Sequence, residues 1–222
     1  MGAVLDLFKV LYEPGAVFER LRDRPRILVP MAAIVVMALI LGFLAKPYVE
    51  AALSAVMAQR SQGAPSPMNV GTMATIQIAT SVVFMPVVIL IGAGILWVTV
   101  SLFGVEANYR KLLSVQSHAM ILYIAQLVAG VVVLSMRGVE SVTSVADLQP
   151  AFGLDLLMPD AKGYLGAVLR GVNIFSVWAV VVQGIGVTKT HNTSRETGYG
   201  AAASAFVVAL LVFSLFALLQ PN

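Results

Sequence analysis

Long apolar stretches separated by polar intervals set the pattern of this chain, and five of them stand out: residues 27–45, 76–103, 115–136, 165–187 and 199–219. Each is close to the length a helix needs to cross a hydrocarbon core of about 30 Å, roughly 20 residues. A bilayer offers backbone N–H and C=O groups no water, so each stretch is predicted to be a transmembrane α-helix. None shows the apolar–polar alternation of a barrel strand. The first run is longer than a cleavable signal core and follows 26 residues of mixed charge, so it is expected to stay as a span.

Residues 1–26 follow a different pattern. Val4, Leu5, Leu7, Phe8, Leu11 and Tyr12 cover a broad helical face, with Lys9 and Glu13 opposite, four residues apart. Pro14-Gly15 is expected to stop this helix. On a second short helix Val17, Phe18 and Leu21 face one way and Glu19, Arg20, Arg22 and Asp23 the other, before Pro25 and Pro30 bracket the approach to the first span. The prediction is an all-α polytopic bundle: an amphipathic arm at the cytoplasmic surface (1–26) and a five-span transmembrane domain (27–222). Phe8, Phe18, Arg22 and Arg24 are the arm's candidate contacts with lipid or partner. Five spans do not divide into the equal halves of an inverted-repeat transporter.

Composition agrees: 59% of residues are hydrophobic and 11% charged, against about 25% charged in soluble domains. With the amino terminus inside, nine Lys and Arg residues face the cytoplasm and Lys46, Arg60, Arg137 and Lys162 face out, which favours a carboxyl terminus outside. The net charge of +3 carries no nucleic-acid signal, because the arm's cations alternate with acids. Cysteine is absent, which removes disulfides and thiolate chemistry. The cytoplasmic connections, 104–114 and 188–198, are short. Of the longer outer ones, the first holds Gln62-Gly-Ala-Pro65-Ser-Pro67, expected to be a flexible loop, and the second is apolar enough over 148–158 to lie among headgroups.

Polar residues within the spans are Gln77, Gln126, Arg170, Asn173 and Gln183, with His118 near an end. Such groups are costly in lipid, an Arg at a helix centre by about 2.5–3.5 kcal/mol. Arg170 lies close to the outer end of its span and is expected to snorkel toward Asp155 or Asp160. Pro86, followed by Gly92-x-Gly94, predicts a kink in the second span. Small residues at Gly200 and Ser204, and at Ala125 and Ala129, predict close helix packing within the chain, or a homo-oligomer. All eleven acids lie outside the spans, so no carboxylate relay for proton-coupled transport is evident. The sequence has no zinc-protease, nucleophile-elbow or phosphate-loop motif, and His118 and His191 lack partners at ligand spacing. No catalytic residue, metal site or cofactor is expected.

The arm's Leu11-Tyr-Glu-Pro14-Gly-Ala-Val-Phe18-Glu-Arg-Leu21 with Pro25 and Pro30, the segment Gly104-Val-Glu-Ala-Asn-Tyr109-Arg-Lys-Leu-Leu-Ser114, and above all Asn173-Ile-Phe175-Ser-Val-Trp178 followed by Gly184-Ile-Gly186 resemble the Yip (Ypt-interacting protein) family of multi-pass membrane domains, in its bacterial form. Asn173 stands where that family's fourth-span motif has an acid. The resemblance implies five helices with a cytoplasmic amino terminus. Eukaryotic relatives bind Rab-type GTPases, but the Asp-Leu-Tyr-Gly-Pro run they carry is absent, so GTPase binding is not implied. The expected function is a non-enzymatic scaffold or accessory subunit in a prokaryotic inner membrane, bound to lipid and to another membrane complex such as an exporter. In that role Phe175 and Trp178 help lock the fourth span; the alternatives are a passive lipid or small-molecule conduit lined by Pro86, Arg170 and Asn173, or an oligomeric membrane-shaping protein.

Overall fold

The computed structural model describes residues 2–60 and 68–219, so the loop predicted to be flexible at Gln62–Pro67 lies outside the described residues. Among the described residues the chain is all-helical: α1 (Gly2–Lys9), α2 (Pro14–Asp23), α3 (Leu28–Arg60), α4 (Val70–Leu102), α5 (Tyr109–Ala119), α6 (Ile121–Arg137), α7 (Gly163–Gly171), α8 (Ile174–His191) and α9 (Arg195–Ser214). Single 3-10 turns punctuate the segment between α6 and α7, and a further one follows α9. Four segments are long and apolar enough to cross a membrane: Leu28–Ala58, Val70–Leu102, Tyr109–Arg137 and Arg195–Ser214. The chain is therefore a multi-pass membrane protein built from helices.

Three predicted boundaries are corrected. The first span was expected to end at residue 45, yet α3 runs through Pro47 to Arg60. Residues 51–58 are mostly strong helix formers, and Lys46 reaches Glu50 one turn on at 3.6 Å, so the helix outlasts its apolar stretch. The second span begins at Val70, where Asn69 accepts a hydrogen bond from the Thr72 N–H at 2.8 Å, and it continues unbroken through Pro86. The fourth predicted span, 165–187, is two helices, because the chain leaves helical geometry at Val172 and Asn173.

The described chain divides into two compact units. The second unit, Val35–Met85 with Ile124–Pro150, holds most of α3, the first half of α4 and α6. Its buried centre is Ala52, Leu134 and Val142, with Tyr48, Ala51 and Leu148 against it. Just after α6, the Asp147 carboxylate accepts four hydrogen bonds from the backbone and hydroxyls of Thr143 and Ser144 at 2.8–3.1 Å. Burial pushes that carboxyl up, but the four donors outweigh it and hold it below the usual carboxylate range.

The first unit, Met1–Ile34, Pro86–Tyr123 and Ala151–Asn222, contains α1, α2, the end of α4, α5 and α7 to α9. Helices α8 and α9 form an antiparallel pair joined by a tight turn. Asn192 takes the left-handed conformation (φ 51°) that ends α8, and Ser194 caps α9 by accepting from the Thr197 N–H at 3.2 Å. Before α7, Leu154 N–H donates to Val172 O at 3.0 Å and the Phe152 ring meets Phe175 edge-on, fixing the 151–158 segment to the start of α8.

Candidate functional site

Most side-chain ties of the first unit converge on α8. Asn173 sets where this helix begins. Its side-chain oxygen accepts from the N–H groups of Phe175 and Ser176, each at 3.0 Å, and Asn173 N–H donates to Ser176 Oγ at 2.9 Å. Together these satisfy donors that an uncapped helix start leaves bare. The amide nitrogen of Asn173 donates to Arg170 O at 3.0 Å, closing α7 onto α8. Asn173 is buried and fully engaged, so its role here is a cap, which an Asp would also fill.

Further along α8 two glycines make room for neighbours on different sides. A Cβ on Gly184 would stand 2.5 Å from Tyr199 Cδ1 of α9. One on Gly186 would stand 2.5 Å from Val115 Cγ1 of α5 and 3.2 Å from Phe18 Cε2 of α2. Positions two apart on a helix point about 200° apart, which is how one Gly-x-Gly serves α9 with one glycine and α2 and α5 with the other. Gln183, just before the first of them, donates to Gln116 Oε1 of α5 at 2.8 Å, and a Cβ on Gly92 of α4 would stand 2.8 Å from Gln116 Nε2. The two side-chain amides thus pair with each other.

The amino-terminal helices dock on this surface. Val17, Phe18 and Leu21 of α2 share one face, and that face is buried within the chain rather than offered to lipid or a partner; the Phe18 ring meets His118 of α5 edge-on at 6.3 Å. His118 is fully buried; its Nδ1 lies 2.8 Å from Ser114 O, and its Nε2 has no hydrogen-bond partner among the described residues. Ser114 Oγ donates to Arg26 O at 2.8 Å. Glu19 pairs with Lys189 at the end of α8, and that ammonium holds the exposed Glu19 carboxyl below its ordinary range. Trp178 Nε1 donates to Leu11 O at 3.3 Å. Asp6 of α1 binds Arg20 at 2.5 Å and Arg26 at 3.6 Å, tying α1 to α2.

Beside this dock a hydrogen-bonded chain joins the start of α5 to the end of α8. Asn108 N–H donates to His191 Nε2 at 3.1 Å, His191 Nδ1 lies 2.9 Å from Thr190 Oγ1, and that hydroxyl donates to Gly186 O at 2.6 Å. Every bond is satisfied when His191 is neutral with its proton on Nδ1. Burial, then the Lys111 charge, lower its pKa. Lys111 Nζ donates to Thr190 O at 3.2 Å.

The residues singled out from sequence therefore separate. Phe18 and Trp178 belong to the dock and Asn173 caps α8. Phe8, Arg22 and Arg24 face outward, and Pro86 and Arg170 are half-buried elsewhere. Arg170 forms no ion pair with Asp155 or Asp160. Its guanidinium instead runs back along α7, 3.5 Å from where a Gly166 Cβ would stand. Leu7 of α1 and Val10 just after it are buried, while Val4, Leu5, Phe8 and Tyr12, expected on the same face as Leu7, are exposed. Gln116, Asn108 and Lys111 were missed. Gln116 could have been found as a polar side chain one residue inside a predicted span.

The Yip1 domain profile matches residues 8–218. The chain is 32% identical over 220 residues to the membrane protein YknW of Bacillus subtilis (strain 168), an alignment covering 95% of this chain and 88% of that one. No solved structure matches it.

Proposed function

Because the chain belongs to the Yip1 domain family and sits in a membrane through several apolar helices, we propose that it is a non-enzymatic scaffold or accessory subunit that binds another membrane complex, such as an exporter, in a prokaryotic inner membrane. The observation that carries this reading is the open flank of α3. In its most apolar stretch 17% is buried against the rest of the chain, against 33% for α4. Val36, Leu39, Ile40, Phe43 and Leu44 stand exposed at helical spacing along one face. The conduit alternative is weakened because Asn173 and Gln183, two of the polar groups available to line a path, are engaged by partners within the chain.

Five crossings, with the amino-terminal helices cytoplasmic and the carboxyl end outside, form part of the proposal. Helix α8 decides the count. Gly198 of α9 packs on Thr188, Gly184 on Tyr199, and Gly171 at the end of α7 on Leu210. The α7–α8 segment therefore runs antiparallel to α9 along its length, and α9 is long enough to cross. Since the chain lacks cysteine, single substitutions report topology directly. Asn192→Cys should resist an impermeant thiol reagent added from outside while Ser144→Cys reacts; labelling of both from outside would leave four crossings.

The functional test is mass spectrometry of what the tagged chain retains after cross-linking in native membranes, for the wild type and for Ile40→Trp/Leu44→Trp. A stoichiometric membrane complex that is lost with the double substitution, while the chain stays folded, supports the scaffold role. Recovery with lipid alone overturns it, and a defined homo-oligomer alone would favour the membrane-shaping role.

A further inference from the structure

We propose that α1 and α2 form a re-entrant hairpin set into the cytoplasmic leaflet beside α8, with the outer face of α1 against lipid acyl chains and the arginines of α2 among anionic headgroups. This rests on the reading of α8 as a membrane span.

The first support is the order of contacts along α8. Glu19 meets Lys189, Phe18 packs at Gly186, and Leu11 O takes the indole proton of Trp178. Lys189 and Trp178 are eleven residues apart, about 16 Å along a helix axis. The turn joining α1 to α2 therefore descends along α8, away from its polar end. Helix α1 then climbs back: Asp6 is bound to both Arg20 and Arg26, and Arg26 lies two residues before α3 begins. An arm lying flat at the end of the bundle would reach Lys189 but not Trp178.

The second support is the chemistry of what the hairpin leaves uncovered. Val4, Leu5, Phe8 and Tyr12 are all exposed and lie on one side of α1 and the turn that follows it. They are joined in character by Leu28, 80% exposed, and Val29 at the start of a membrane-crossing helix, whose outer surface faces lipid. A helix facing water would carry polar side chains there. At the opposite end of the hairpin stand Arg20, Arg22, Arg24 and Arg26, and among the described residues Asp6 and Asp23 are the acids in ion pairs with them. That surplus of positive charge complements an anionic leaflet surface. Glu13, charged and exposed in the turn, limits how far the hairpin enters the apolar region and keeps it within one leaflet.

The absence of cysteine permits a direct measurement. Single nitroxide labels at Leu5→Cys, Phe8→Cys, Arg24→Cys and Val177→Cys, all exposed positions, are placed in full-length protein reconstituted in vesicles of phosphatidylethanolamine and phosphatidylglycerol. Collision with oxygen and with a water-soluble nickel chelate is then compared at each site. The expected result is a several-fold excess of oxygen over nickel collision at positions 5, 8 and 177, and the reverse at 24. Nickel-favoured collision at 5 and 8 with oxygen-favoured collision at 177 overturns the hairpin while leaving α8 in the membrane. Nickel-favoured collision at 177 as well overturns it together with the span on which it rests.

Discussion

Helices α8 and α3 are both apolar, yet they relate to their neighbours in opposite ways. Helix α8 places one glycine against Tyr199 of α9 and another against Val115 and Phe18, and uses polar side chains on specific bonds to α2 and α5. Helix α3 is almost twice as long, 33 residues against 18, and leaves most of its apolar stretch uncovered. Within lipid a bare hydrophobic flank costs nothing, because the surroundings are as apolar as the side chains. Shape and hydrogen bonding, rather than hydrophobicity, therefore decide which helix faces are committed. On this comparison α8 organises the first unit, whereas α3 leaves its apolar flank to the lipid.

The strongest way to break that comparison is at Phe18. Cutting it back to alanine should leave a cavity between α2, α5 and Gly186 and cost about 3–5 kcal/mol, the range for a buried Phe→Ala change. Thermal unfolding in mild detergent should register the loss, and trypsin should cleave faster at Arg20 and Arg22 as the hairpin undocks. An unchanged cleavage rate would mean that the seat does not hold the arm. Next in size is Gly186→Leu, which forces a side chain against Val115 and Phe18 and should cost roughly 1–3 kcal/mol. Ile40→Ala on the open flank of α3 should stay within about 0.5 kcal/mol. Similar losses at the two sites would erase the distinction between committed and open helices.

How far the sequence revealed these features follows from the same physics. The buried face of α2 was legible because charges interleave with Val17, Phe18 and Leu21 and leave one apolar side. The buried face of α1 was not, since leucine and valine serve equally well against protein and against lipid, so periodicity could not separate Leu7 and Val10 from Phe8 and Tyr12. The break in the fourth predicted span was hidden by summing hydrophobicity across it. Its signal was present in Asn173 with Ser176 three residues later, the spacing of a reciprocal cap. Trp178 and the Gly184-x-Gly186 pair stood out as a motif, but their partners, Leu11, Tyr199 and Phe18, come together only through tertiary packing.

That cap is the third place to press. Asn173→Ala removes the acceptor for two backbone N–H groups and should cost on the order of 1 kcal/mol, whereas Asn173→Asp, which keeps the oxygen, should cost much less. Unfolding of both variants in detergent separates a capping role from a ligand-binding one. Equal losses for Ala and Asp would point to a need for the amide nitrogen, which donates to Arg170 O.

The smallest expected effect is a pH dependence at the joint between α5 and α8. His191 accepts from the Asn108 N–H at Nε2, so a proton added there breaks that bond and sets an imidazolium beside Lys111. Burial and that neighbouring charge lower the folded pKa beneath the value of about 6.5 for a free histidine. Above that value both folded and unfolded chains carry neutral His191 and the joint is at full strength. As pH falls below it the unfolded chain takes up the proton first, so stability declines until the lower, folded pKa is passed, where the loss levels off. The informative quantity is the difference between wild type and His191→Gln across pH 5 to 8, by thermal unfolding in detergent, because it isolates this one imidazole. The wild type should lose stability relative to the variant as the pH drops. A difference that is flat, or that grows in favour of the wild type, would mean that the imidazole is not held neutral between these helix ends.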